Sequence, residues 1–143
     1  MFIGEYAHTV DPKGRLNIPS KFRETLGDEF YVTKGLDKCL FIFPADEWHI
    51  FEEKLKTLPL TNKNARAFVR LFFSGATECS LDKQGRINIP VPLRNHGEIQ
   101  KEVNVIGVGT RIEIWSKDNW DEYNNPDNIS YDDIAEQMAE LGI

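Results

Sequence analysis

The chain has 143 residues, 41% hydrophobic and 28% charged, a balance that fits a folded globular protein and excludes a disordered or fibrous one. No window approaches the roughly 18 apolar residues of a membrane span, and Met1 to Glu5 lacks the basic-then-apolar order of an export signal, so a cytoplasmic location is expected. The net charge of −6 argues against a polyanion partner only until it is placed: from Lys117 onward eight acidic residues stand against one lysine, a net of −7, which leaves the preceding body at +1.

In chain order, Gly4 to Val10 alternates as a strand, with Tyr6, His8 and Val10 on one side. Asp11 can accept from nearby amides, Pro12 fixes its own φ and Gly14 tolerates positive φ, so a tight reversal follows. From Arg15 the period of two sends Leu16 and Ile18 to one face and Arg15 and Asn17 to the other. Pro19 ends this strand and starts a short helix, Ser20 to Leu26, which Gly27 stops. Strands at Phe30 to Lys34 and Cys39 to Phe43 are joined by a turn at 35–38. A helix from Asp46 to Leu55 carries Trp48, Phe51 and Leu55 at core spacing. After a hinge at Leu58 to Asn62, a second helix, Lys63 to Phe73, gathers Ala65, Phe68, Val69, Phe72 and Phe73 on one apolar face. That face needs a cover, either this chain's own core or another subunit.

The pattern then restarts. Asp11 to Pro19 recurs as Asp82 to Pro90, an offset of 71 that superposes Asp, Gly, Arg, Asn, Ile and Pro without a gap and still matches Arg23 with Arg94. Strand signals at Ala76 to Leu81, Arg86 to Ile89, Val103 to Val108 and Ile112 to Ser116 echo the first set, with Trp115 and Trp120 answering Phe43 and Trp48. A unit of about 45 residues is too small to bury a stable core alone, so the two should pair about a pseudo-twofold axis and share one. The expected organisation is a first unit at 5–47, a helical connector at 48–75, a second unit at 76–119 and an acidic helical tail at 120–143. In that tail, Ser130 to Asp133 is a helix-capping sequence ahead of Ile134, Met138 and Leu141. The class is α+β, mainly β.

A catalytic set is missing from the sequence. His8, His49 and His96 have no partner at metal-ligand spacing, Cys39 and Cys79 suit buried reduced thiols, and Gly107 and Gly109 suit a strand connection without a phosphate-cradling helix. Neither enzyme chemistry nor a cofactor, a metal or a small-molecule substrate is expected. The repeated turn is different. Arg15 and Arg86 stand opposite the core-directed residues, Lys13 and Lys83 lie inside the turns, and Lys21, Arg23 and Arg94 follow on the short helices. A pseudo-twofold would set these seven cations side by side, an arrangement suited to a nucleic-acid backbone and, for arginine, to base edges. Asp11 with Arg15 and Asp82 with Arg86 also suit plain hairpin ion pairs, and the residues alone leave both readings open.

The two Asp-x-x-x-Arg turns followed by Asn-Ile-Pro, the opening Phe2 to Tyr6 and the central Phe72 to Ala76 closely resemble the MraZ family of bacterial regulators. The resemblance implies two AbrB-like (SpoVT-AbrB) swapped-hairpin β units and a ring-shaped homo-oligomer. It also implies nucleoid-associated binding to repeated double-stranded promoter elements ahead of a division and cell-wall gene cluster, with Arg15 and Arg86 facing the DNA. The alternative is an oligomeric protein-interaction scaffold without direct DNA contact.

Overall fold

The duplicated sequence folds as a duplicated run of elements in a computed structural model that describes residues 1–143. The first run is β1 (Phe2–Thr9), β2 (Arg15–Asn17), α1 (Ser20–Leu26), β3 (Phe30–Lys34), β4 (Leu40–Pro44) and α2 (Ala45–Lys56). After α3 (Lys63–Gly75) the second is β5 (Thr77–Cys79), β6 (Arg86–Asn88), α4 (Val91–His96), β7 (Glu102–Gly109), β8 (Ile112–Ser116) and α5 (Lys117–Tyr123), and α6 (Tyr131–Ala139) closes the chain. Pro19 and Pro90 occupy matching positions at the starts of α1 and α4, where a missing backbone donor costs nothing. Asn62 caps α3 by accepting from the Ala65 amide, and Ser130 caps α6 by accepting from Asp133.

The two runs exchange strands. A six-stranded antiparallel sheet has the order β1-β7-β8-β4-β3-β5, so the first strand of each run pairs with a strand of the other or closes its far edge: β1 lies along β7 and β5 along β3. At the sheet centre β4 meets β8 with Phe41 opposite Glu113. The remaining two strands, β2 and β6, form their own antiparallel ribbon centred on Leu16 opposite Ile87, the two residues that the 71-residue offset equates. The shared core anticipated from the small size of each unit is therefore built by interlocking strands.

Two apolar clusters lie on opposite faces of the sheet. One joins Leu16, Ile18 and Phe22 to their counterparts Ile87, Ile89 and Leu93 beneath the ribbon and short helices. The other joins Phe41, Phe43, Trp48, Leu55 and Phe72 to Trp115 beneath α2 and α3. The aromatic echo is structural as well as textual: Phe43 packs on Trp48 at 6.0 Å and on Phe51 at 5.1 Å, and Trp115 packs on Trp120 at 5.2 Å and on Tyr123 at 5.0 Å. α2 and the shorter α5 are thus the same element, and only α2 is covered, by α3.

Two expectations need correction. Gly107 and Gly109 lie in β7 rather than in a connection, because a Cβ at Gly107 would strike the backbone of Phe2 and Ile3 and the β1–β7 pairing requires its absence. Cys39 is fully buried, which pushes its thiol up, but Cys79 on the short β5 is only half-buried. His8 is half-buried on its strand, and burial with the nearby Arg23 charge pushes its ring down. α6 forms as expected, yet it buries no residue.

Candidate nucleic-acid interface

The ribbon's two faces are set by strand alternation. Leu16 and Ile87 point into the core at 0% and 1% exposure, which sends Arg15, Asn17, Arg86 and Asn88 outward. The register places Arg15 opposite Asn88 and Asn17 opposite Arg86, so the four outward side chains form a twofold-symmetric quartet.

Each turn that feeds the ribbon is held by its aspartate. Asp11 Oδ1 accepts from the amides of Lys13 at 3.0 Å and Arg15 at 2.9 Å, and its Oδ2 accepts from Arg15 Nε at 2.6 Å. Asp82 repeats this with the amides of Gln84 and Arg86 and with Arg86 Nε, all at 2.9 Å. In both pairs only Nε is engaged by the aspartate, and the terminal nitrogens have no acceptor within the chain. The aspartate therefore orients each guanidinium and leaves its outer edge unspent, so ion pairing and outward presentation coexist.

The two turns also clamp each other. The Ile18 amide donates to Gly85 O at 3.0 Å and the Ile89 amide to Gly14 O at 2.8 Å. Arg23 Nε donates to Ile18 O at 2.8 Å while its guanidinium lies against Gly85, and Arg94 Nε donates to Ile89 O at 3.0 Å while its guanidinium lies against Gly14. Arg23 and Arg94 thus lock the opposite repeat's turn as well as adding charge. Lys13, Lys21 and Lys83 are exposed and take part in no ion pair within the chain.

The MraZ description matches this chain twice, over residues 1–71 and 72–141, one match per repeat. A protein of Alkaliphilus metalliredigens is 66% identical over 143 residues, one of Clostridium tetani 64% over 143 and one of Thermoanaerobacter sp. (strain X514) 57% over 143, each comparison spanning 100% of both chains. The chain belongs to the MraZ family. All three relatives bear the name "Transcriptional regulator MraZ", which describes a regulator and not an enzyme. No helix of this MraZ-family chain is long and apolar enough to cross a membrane.

Within this family frame the structure adds two residues to those singled out from the sequence. Asn17 and Asn88 are exposed, make no side-chain hydrogen bond within the chain and share the outward face with Arg15 and Arg86. The alternation that placed the arginines outward already placed the asparagines with them; only their lack of charge hid them.

Gly14 is pressed against the backbone of the opposite repeat. Its φ of +87 is a left-handed conformation, and a Cβ there would sit 2.7 Å from Ile89 O of the opposite repeat. Gly109, at φ +75 with nothing within 4 Å, is the matched control. Gly14→Ala is expected to destabilise the protein by about 1–3 kcal/mol, clearly more than Gly109→Ala; equal denaturant midpoints for the two variants would contradict the clamp.

The same turns set an acid limit. The Arg15 backbone amide, joined by its guanidinium, holds the Asp11 carboxyl below its ordinary 3.8, and Arg86 does the same for Asp82. A folded value below the unfolded one stabilises the fold fully above 3.8, and that contribution fades as pH falls through the depressed value. Carboxyl titration by NMR should give midpoints below 3.8 for both residues; ordinary midpoints would show that the turns leave the aspartates unheld.

Proposed function

We propose that this chain is a sequence-specific DNA-binding transcriptional regulator, and that the β2–β6 ribbon is its contact surface. The observation that carries this reading is the outward quartet of Arg15, Asn17, Arg86 and Asn88, aimed by aspartates on a ribbon rigidified from both sides. A two-stranded ribbon fits the major groove, where arginine pairs with guanine and asparagine with adenine. Lys13 and Lys83 at the turns, with Lys21 and the outer edges of Arg23 and Arg94, supply phosphate contacts around it. The acidic tail follows α5, on the face of the sheet that carries α2 and α3, so its charge is kept from the ribbon.

The reading extends to a cytoplasmic, nucleoid-associated homo-oligomer that engages repeated promoter elements, those of a division and cell-wall gene cluster. One ribbon spans few base pairs, and joining subunits raises the effective concentration of each next contact without any new interaction. The relatives' names support the regulatory part of the reading. A scaffold without DNA contact is the competing reading, favoured by the exposed Leu60 ahead of α3 and Phe68 on it, at 81% and 39%.

Selection of bound duplexes from a random pool separates the two. Enrichment of a defined, repeated motif is the expected outcome, and failure to enrich any motif would favour the scaffold. In a salt titration, Lys13→Ala with Lys83→Ala should flatten the log–log slope by about 2 and weaken all sequences alike. An unchanged slope would remove these lysines from the phosphate contacts.

A further inference from the structure

α6 and the α2–α3 layer present complementary surfaces. α6 is amphipathic, with Ile134 and Met138 one turn apart and Leu141 following in the closing turn. Ile134 is 38% and Leu141 74% exposed, and the helix buries nothing. A nine-residue helix is too short to persist on its own propensity, so it needs a surface to lie on. Its remaining faces carry Asp132, Asp133, Glu136 and Glu140, none paired with a cation in the chain.

Between the end of α2, the connector and α3 lies an apolar cleft of about 330 Å³ lined by Leu58, Leu60, Val69 and Phe73. Arg66 and Arg70 line its rim, and neither takes part in an ion pair. An apolar stripe flanked by acids thus exists on one element, and an apolar slot flanked by arginines on another.

The two do not meet within the chain. Tyr131 Oη donates to Asn124 Oδ1 at 3.0 Å and holds the start of α6 against α5, beside Glu5 of the edge strand β1. The cleft belongs to α2 and α3, which pack over β3 and β4. We infer that the acidic helix α6 of one copy docks in the arginine-rimmed α2–α3 cleft of a second copy. Ile134, Met138 and Leu141 then enter the slot, and the helix carboxylates meet Arg66 and Arg70. Because slot and helix are different surfaces, the contact is heterologous and propagates head to tail until it closes. It leaves the arginine ribbon, on the other face of the sheet, free. This inference rests on the self-association part of the proposed function and supplies its contact.

Light scattering and sedimentation on the full-length protein test it. The parent should form an assembly that falls toward the single-chain mass of 16.5 kDa in R66E/R70E, in E136R/E140R and on deletion of residues 130–143. Combining both charge reversals in one chain should restore the parent mass. α6 buries nothing, so its deletion spares the fold of the rest, which circular dichroism verifies. A parent that is monomeric at every concentration, or variants that keep the parent's mass, would overturn the contact. DNA binding is scored separately: an intact assembly that ignores DNA removes the regulatory reading and leaves this contact standing.

Discussion

Replacing Arg15 and Arg86 together by alanine is expected to abolish sequence-specific DNA binding while leaving the fold in place. Each guanidinium meets its aspartate through Nε alone, at 2.6 Å for Arg15 and 2.9 Å for Arg86, and has its outer nitrogens free. A bidentate base contact is worth about 1–3 kcal/mol, so two lost contacts should weaken a preferred duplex by about thirtyfold or more. The fold should survive, because the turns keep their backbone bonds from residues 13, 15, 84 and 86 to Asp11 and Asp82, and the buried Leu16 and Ile87 are untouched. Each single variant should lose part of the affinity, since the pseudo-twofold presents the two arginines equivalently. Electrophoretic titration with parallel melting curves measures both halves. Binding as tight as the parent's, at native mass, would rule the ribbon out as the DNA contact.

Phe72→Asp should unfold the helix-side layer. Phe72 is 1% exposed, stacks on Phe41 with centroids 6.1 Å apart, and meets Phe51 edge-on at 4.9 Å and Phe68 at 4.8 Å. Its carbonyl also accepts from the buried Thr33 hydroxyl at 2.7 Å, which ties α3 to β3. Removing a core phenylalanine costs about 3–5 kcal/mol, and placing a carboxylate there adds its desolvation. A loss of this size should lower the melting temperature by more than about 10 °C. Phe68→Asp, at a site 39% exposed, should be far milder. Similar melting temperatures for the two variants would contradict the inward assignment of Phe72.

This settles a choice that the sequence left open. The apolar stripe of α3 divides: Phe72 belongs to the chain's own core, Phe73 packs edge-on against Trp48 and also lines the cleft, and Val69 faces the cleft. The sequence pattern could show one stripe but not the two surfaces that share it. The elements whose signals are local were legible, and Ser20 to Leu26 and Ile112 to Ser116 fall on α1 and β8 residue for residue. The repeated turn was legible for the same reason, since Asp, Gly and Arg act within five residues of one another.

What escaped depends on contacts distant in sequence. β1 pairs with β7, about a hundred residues on, and nothing in either strand names the partner. Gly107 looked like part of a connection because its reason, the backbone of Phe2 and Ile3 pressed against it, lies in the other repeat. Arg23 and Arg94 looked like further members of a charge cluster, and their packing on Gly85 and Gly14 is visible only once the repeats interlock. Glu113 gave no signal either. It is a buried acid in β8 that accepts from Arg111 at 2.7 Å and from Trp115 Nε1 at 3.0 Å, with Arg111 lying 4.4 Å over the Phe41 ring.

Contact between the twofold ribbon and DNA can be read residue by residue by arginine-selective modification with phenylglyoxal and mass spectrometry, with and without a selected duplex. DNA should protect Arg15 and Arg86 strongly, and Arg111, on the opposite side of the sheet, should react at an unchanged rate. Equal reactivity of Arg15 and Arg86 in the free and DNA-bound protein would contradict that contact.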